Sequence, residues 1–372
     1  MIPLLTRIEQ ELSVCTDPLR QAELLAERAC YLARTGDFAG ANEIAASLRQ
    51  AYGDGRSARI SVWIMLIEGL VLYFDKLSSS LARDRIVRAN VISSVAAIPR
   101  LKSLTAAWLA HIEFERSAYE SMAALIASVL RSAEPDAFDV HSRVGMILGD
   151  AYLYSGNRSQ SMKWYEYSRR HSILIGDRAA IGALMYNRSA FGLALARIKY
   201  HTDAGFIDQQ HLSFIEIEME SGWSFQSGTK VTALSHLVDL CRARVEILRG
   251  RHSSAIDLLL PLNERLVSIE DRQNRSCVLA DLAWCLFKID RHDQAVDMVR
   301  QLDEQQFLQL DADDQVVAIA ICLHISEFVG DQERIDAFRK GLVGAEFRLS
   351  QEINCLQLAL ASIEAVVPPD WH

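Results

Sequence analysis

The 372-residue sequence predicts an all-α chain of about eight antiparallel helix hairpins, and three observations carry that prediction. A glycine or polar turn residue followed five positions later by a small residue recurs along the chain. It pairs Gly36 with Ala41, Gly156 with Ser161, Gly250 with Ala255 and Asp290 with Ala295, and Gly330 marks one more turn. Candidate turns near Gly36, Asp75, Arg116, Gly156, Gly250, Asp290 and Gly330 fall 39, 41, 40, 94, 40 and 40 residues apart. A fixed period of that length marks an array of repeated supersecondary units. Finally, half of the residues are apolar, 23% are charged, and only seven prolines and eighteen glycines interrupt the helix-patterned segments. That composition is globular and helix-favouring.

Each hairpin has a leading helix before its turn and a trailing helix after it. The first places Ala29 and Leu32 before Gly36 and Ala41 after it. In the second and third, Glu68 and Leu109 stand where a small residue is expected before the turns at Asp75 and Arg116. The fourth, GMILGDAYLYSGNRSQSMKWYEYSRR, is the clearest. Gly156 can adopt the left-handed conformation that ends a helix. Gly149 and Ser161 let two helices approach, and Leu148, Tyr152 and Tyr165 supply bulk around that contact. The 94-residue interval holds two hairpins plus extra residues, so the fifth unit, about 178–229, is irregular. Its leading helix is expected at 178–200, with a turn near 196–205 and a trailing helix FIDQQHLSFIEIEMES. A Gly- and Ser-containing loop at 222–229 is expected to follow, carrying Trp223 and Phe225. The sixth hairpin has Ala243, Gly250, Ala255 and Leu259. The seventh has Leu282, Ala283, Leu286, Ala295 and Val299. The eighth has Ile335 after Gly330. Pro368 and Pro369 end the last helix, leaving a tail at 367–372 that is either free or docked on the last hairpin.

At Leu148, Gly149, Tyr152, Gly156, Ser161 and Tyr165 the spacing resembles the tetratricopeptide repeat signature, and the first, sixth and seventh hairpins share that frame. The period is about forty rather than thirty-four, and the closing proline of the signature is mostly absent. The longer units are similar to tetratricopeptide-like sensor domains of bacterial transcription activators and of bacterial signal-peptide regulators. The resemblance implies a single domain over 1–372, a right-handed superhelix (α-solenoid) with a concave groove lined by the leading helices.

Charge is uneven. Residues 1–200 carry 24 Lys+Arg against 20 Asp+Glu, and residues 201–372 carry 15 against 28. The acidic second half opposes contact with a phosphate backbone, so no direct nucleic-acid partner is expected. Arginine outnumbers lysine 32 to 7, as in a chain from a GC-rich bacterial genome. The seven cysteines form no CxxC pair or metal-ligand spacing, and most sit in apolar helical stretches as small hydrophobes. The start lacks a signal-peptide pattern, and the most apolar stretch, WIMLIEGLVLYF, is too short to span a bilayer. A reduced cytoplasmic protein without a membrane partner is therefore expected.

No phosphate loop, GxGxxG, GxSxG or HExxH motif occurs, and the ten histidines are dispersed. No enzymatic activity, catalytic residue, metal or cofactor is expected. Recognition residues are sought instead at the leading-helix positions two, three and six before each turn. These give Cys30 and Arg34; Asp150, Leu153 and Tyr154; and Arg244. They also give Trp284, Phe287 and Lys288, then His324 and Phe328. Arg143 and Met146 extend the fourth set, and Tyr186 with Asn187 stands at the matching place in the fifth. Exposure is expected for Arg143, Asp150, Arg244 and Lys288, and the aromatics are divided between groove and core. Arg143, Asn187 and Arg244, from successive leading helices, could converge on a carboxylate or phosphate, which suits forked guanidinium donors. The expected function is a non-enzymatic scaffold or adaptor holding a protein or peptide in the concave groove. The alternative is a regulatory sensor that binds a signal peptide or small effector and acts on a separate output protein. The apolar first helix (Leu4, Leu5, Ile8, Leu12) is either a cap or a surface for homo-oligomer formation.

Overall fold

The computed structural model describes residues 2–53, 55–75, 79–203, 205, 207–229, 231–233, 235–269, 271–302, 304–368 and 371. The described residues form eighteen α-helices and no strand. A first helix, α1 (Leu4–Val14), precedes eight sequential pairs: α2 (Pro18–Thr35) with α3 (Phe38–Tyr52); α4 (Ala58–Phe74) with α5 (Ser79–Val95); α6 (Pro99–Glu115) with α7 (Tyr119–Ser132); α8 (Phe138–Tyr154) with α9 (Arg158–Ile175); α10 (Arg178–Thr202) with α11 (Gln209–Thr229); α12 (Ser235–Leu248) with α13 (His252–Ser268); α14 (Arg272–Lys288) with α15 (His292–Arg300); and α17 (Ala312–Val329) with α18 (Gln332–Glu364). A short helix, α16 (Glu304–Leu308), intervenes before α17 and has no counterpart in the sequence pattern.

The turns take the conformation that their residues allow. Gly36, Gly156, Gly250 and Gly330 all have positive φ, between 73° and 95°, which an L side chain resists. Asp290 adopts φ 61° at the equivalent place, and Ser117 φ 55° beside the expected turn at Arg116. Ala41, Ser161, Ala255 and Ala295 are fully buried, so the small residue five positions on lies where the paired helices meet. At Gly149 the approach is closest: a Cβ there would lie 2.5 Å from the Tyr165 ring.

Contacts divide the chain into two compact units. Unit 1 comprises Met1–Leu184, Ser224–Leu234 and Cys355–His372; unit 2 comprises Met185–Trp223 and Ser235–Asn354. Within unit 1 the leading helices line up in order, α2 on α4, α4 on α6 and α6 on α8. Within unit 2, α12 packs on α14 and α14 on α17. Unit 1 also closes on itself. The Leu4 amide donates to the Gly176 carbonyl (2.9 Å), and the Thr232 amide to that of Thr35 (2.9 Å). Leu4 and Ile8 of α1 pack with Leu24, Tyr31 and Ala179, with Leu5 and Leu12 beside them. The apolar side of the first helix is therefore covered inside its own unit.

Two expectations need correction. Residues 222–229 are not a loop but the last turns of α11. Their Gly and Ser content reads as a break, yet Gly222 is buried inside the helix facing α10, where an added Cβ would stand 3.4 Å from Met185 Cβ, in ordinary contact. Nor does the tail dock on the last hairpin. Pro369, Asp370 and His372 lie outside the described residues, but Trp371 is buried and stacks on His141 (centroids 4.1 Å apart) and Tyr167 (5.7 Å), in α8 and α9. Among the described residues no helix is long and apolar enough to cross a membrane.

Candidate functional site

Unit 1 contains a cavity of about 330 Å³ walled by its leading helices. Leu4 and Ile8 come from α1, Cys30 and Arg34 from α2, Trp63 and Leu66 from α4, Leu104 and Trp108 from α6, and Ser142 and Arg143 from α8. Ile175, Asp177 and Ala180, at the α9–α10 junction, complete the wall. The junction is built by local rules. Gly176 ends α9 in the left-handed conformation (φ 71°), and Asp177 then begins α10, its Oδ1 accepting from the Ala180 amide at 2.9 Å. The other oxygen of Asp177 faces α2 and accepts from Arg34 Nη1 at 2.6 Å. Burial alone would lower the Arg34 guanidinium, but Asp177 outweighs it and the group is held above its ordinary value. One side chain thus caps a helix and fixes a cation at the cavity wall.

Arg143 has no such partner. It is 7% exposed, against the exposure expected of it, because α8 is enclosed by its neighbours, and its Nη1 reaches only Met146 Sδ, at 3.6 Å. The guanidinium lies 3.7 Å over the ring of Trp108, an attraction that offsets part of the cost of burying the charge. Burial and the nearby Arg34 charge push it down to about 10, so it is still cationic at neutral pH. Arg100, also in the wall, pairs with Asp139 through Nη2, and its Nη1 is buried without a hydrogen-bond partner. The Cys30 thiol is pushed up to about 12 by burial and is therefore no nucleophile at neutral pH.

The leading helices of unit 2 carry a different arrangement. Asp281 of α14, fully buried, accepts from Arg197 Nη2 of α10 (2.9 Å) and from Arg244 Nε of α12 (3.1 Å). Asp314 of α17 accepts from Arg197 Nη1 (2.6 Å) and Arg244 Nη2 (2.8 Å). Burial would raise Asp314, but Arg244 and Arg197 hold it down at about 2. Burial would likewise lower Arg244, but Asp314 and Asp281 keep it well above its ordinary value. Two cations and two carboxylates satisfy one another, so the Arg244 side chain is internal, not exposed as expected.

The remaining sequence-selected residues are dispersed. Asp150, 1% exposed, accepts from Tyr165 Oη at 2.7 Å; its expected exposure fails because the close Gly149 contact brings Tyr165 over it. Tyr154 is buried in α8. Tyr186, half-buried, packs on the cluster of Leu193, Leu212, Cys241 and Val245, and burial pushes its phenol well up. Asn187 is half-buried on α10. Arg143 belongs to unit 1, whereas Asn187 and Arg244 belong to unit 2. Trp284 is buried, with His201 and His324 against it (4.9 and 5.2 Å) and Lys288 Nζ 4.5 Å from its ring. Lys288 and His324 are exposed. Trp223 is 39% exposed beneath Arg242 (4.7 Å), and half-buried Phe225 lies beside Gly182.

Sequence reasoning reached Arg143, Arg34 and Cys30 but missed Trp63, Trp108, Arg100 and Asp177 at the same cavity. It also missed Arg197, Asp281 and Asp314. A usable signal existed for Arg197 and Asp281: each is a lone charge in an apolar helical run, FGLALARI and VLADLAWCLF, and such a charge needs a buried partner. A scan against protein-family models finds no match, and a search of curated proteins finds none either.

Proposed function

We propose that the chain is a non-enzymatic regulatory receptor: a tetratricopeptide-like superhelical array that binds a small effector in unit 1 and acts on a separate output protein. The cavity on the leading helices of unit 1 carries this reading. At about 330 Å³ it falls at the small end of the range of about 300–1,000 Å³ typical of small-molecule sites. An extended peptide lying across many repeats does not fit such a volume. The wall combines two indoles and several aliphatic side chains with a few fixed polar groups, the usual composition of a ligand site. It lacks an activated nucleophile, because its one thiol is held protonated. A ligand touching α1, α2, α4, α6 and α8 together would bias how these helices pack, which suits a repeat array as a transmitter.

The test is a comparison of small molecules released by solvent denaturation from natively purified protein and from Leu104→Trp, which pushes a bulkier side chain into the cavity. A molecule carried by the wild type and absent from the variant, and which raises the wild-type melting temperature when added back, is the expected result. No carried molecule, together with no melting shift across a broad metabolite panel, would remove the receptor reading.

One observation favours the scaffold reading as a second function. In unit 2, Trp284, Phe287, His292, His324 and Phe328 form one ring cluster. Phe328 is 57% exposed, and Lys288 and His324 lie open beside it. Aromatic anchors edged by polar groups are the usual centre of a protein-binding surface.

A further inference from the structure

Granted that the unit 1 cavity is a receptor site, we propose that its ligand is a small monocarboxylate with an apolar body, its carboxylate gripped by Arg143. A guanidinium that is 7% exposed ordinarily has a carboxylate opposite it. The neighbours of Arg143 are instead a thioether and an indole face, and no carboxylate oxygen lies within 4.0 Å of it among the described residues. The acids nearby act on it only through space and make their contacts with other groups: Asp177 with Arg34, Asp150 with Tyr165 and Glu115 with Tyr73. The charge is therefore left for something that enters the cavity.

The wall also sets the valence of that anion. Arg34 is neutralised by Asp177 and Arg100 by Asp139, while Glu27 is taken by Arg20 at 3.1 Å. Arg7 and Asp136 are exposed at the edge. Arg143 is the inner cation with no carboxylate in ion-pair contact, although Asp177, Asp150 and Glu115 act on it through space. The charged wall residues balance at four of each sign, so a monoanion adds one negative charge beside Asp177 and Asp139 and a phosphate dianion adds two, and the smaller charge is opposed less. The planar fork of a guanidinium matches the planar carboxylate, and the unpartnered Nη1 of Arg100 offers a further donor. Trp63, Leu66, Leu104 and Trp108 supply the surface for an apolar body.

The closing experiment compares 3-phenylpropionate and octanoate with their neutral amides and with phenyl phosphate. Binding is followed by tryptophan fluorescence and calorimetry on wild type, Arg143→Met and Leu104→Trp. Two charge-assisted bonds to one carboxylate correspond to about 100-fold in affinity. We expect the acids to bind wild type at least about tenfold tighter than the amides. Arg143→Met should lose that preference, and the ligand-free variant should melt no lower than wild type, since a buried charge with no ion-pair contact has gone. A marked fall in melting temperature with acid binding retained would make Arg143 structural and overturn the proposal. Amides binding as well as acids, and only where Leu104 is intact, would overturn the carboxylate while leaving the receptor reading standing. Phenyl phosphate binding tighter than the acids would overturn the monoanion. Binding of no acid at all would overturn the proposal as well, and the receptor reading would then rest on the released-molecule comparison.

Discussion

Replacing Asp281 by Asn tests whether the Arg197–Arg244–Asp281–Asp314 cluster is internal scaffolding. Asp281 is fully buried and accepts from two guanidinium groups, at 2.9 and 3.1 Å. Asn keeps the shape but presents an NH2 donor to one of these donors, and the cluster changes from two positive and two negative charges to two against one. Breaking a buried ion pair at one partner costs about 3–5 kcal/mol. Unit 2 spans roughly 160 residues, for which 1 kcal/mol shifts melting by about 2–4 °C. Its transition should therefore fall by about 6–20 °C in differential scanning calorimetry. Amide exchange should quicken in α12, α14 and α17, while α2 to α8 of unit 1 serve as an internal reference. Removing a whole pair, as in Arg244→Met with Asp281→Leu, leaves Arg197 facing Asp314 at 2.6 Å, charge-balanced, and should recover most of the loss. A fall of less than about 2 °C for Asp281→Asn, on a scale where 1 kcal/mol is worth about that much, would refute the reasoning. So would equal loosening of unit 1.

Two further outcomes follow from other buried groups. Trp371→Ala should destabilise unit 1 by about 2–4 kcal/mol, since the indole is buried on His141 and Tyr167 and large-to-small changes at such sites cost about this much; chemical denaturation followed through unit 1 measures it. His201, held well below 6.5 by burial and then by the Arg197 charge, stays neutral in the fold, while the unfolded chain takes up a proton near pH 6.5. The unfolded state thus binds more protons below that pH, and stability falls as pH drops, by about 1.4 kcal/mol per unit. Asp313, pushed up to about 6 by burial and by Asp314, acts in the opposite sense: its stabilisation is lost as pH rises from about 4 to 6. Subtracting the melting temperature of His201→Phe from that of wild type removes that contribution, and the wild-type value should fall steadily relative to the variant's from pH 7.5 to 5.

The hairpins were legible because their signals are local. A turn needing φ > 0 selects Gly36, Gly156, Gly250 and Gly330, and a close helix contact selects Ala41, Ser161, Ala255 and Ala295. The same logic misread residues 222–229, where Gly222 is buried inside α11 against α10 and ends no helix. Register placed Arg143 on a wall, but register names a face and not what stands opposite it. Whether a charge is exposed, paired or stranded depends on side chains 30 to 140 residues away: Asp281 for Arg244, Asp177 for Arg34. Local patterning carries no trace of those pairings. The tail was undecided for the same reason, since what decides it is a stacking partner in α8.

The contrast between the units strengthens the assignment of the site to unit 1. Leading helices supply buried arginines in both. In unit 2 each arginine meets two carboxylates, so the charges cancel, and Arg197 and Asp281 are packed away from water. That cluster leaves neither arginine without a carboxylate contact. In unit 1 one buried arginine, Arg143, makes no ion-pair contact with a carboxylate, and it stands at the wall of the cavity. An empty space alone could be a packing defect, and a buried arginine over an indole alone could be a stabilising cation–π contact. Their coincidence at Arg143 is harder to obtain from folding alone, because one acidic side chain reaching into the space would satisfy the charge and take up part of the volume. A chain that leaves volume and charge open at one place has the complement of a ligand there, and departures from local satisfaction are where function is found.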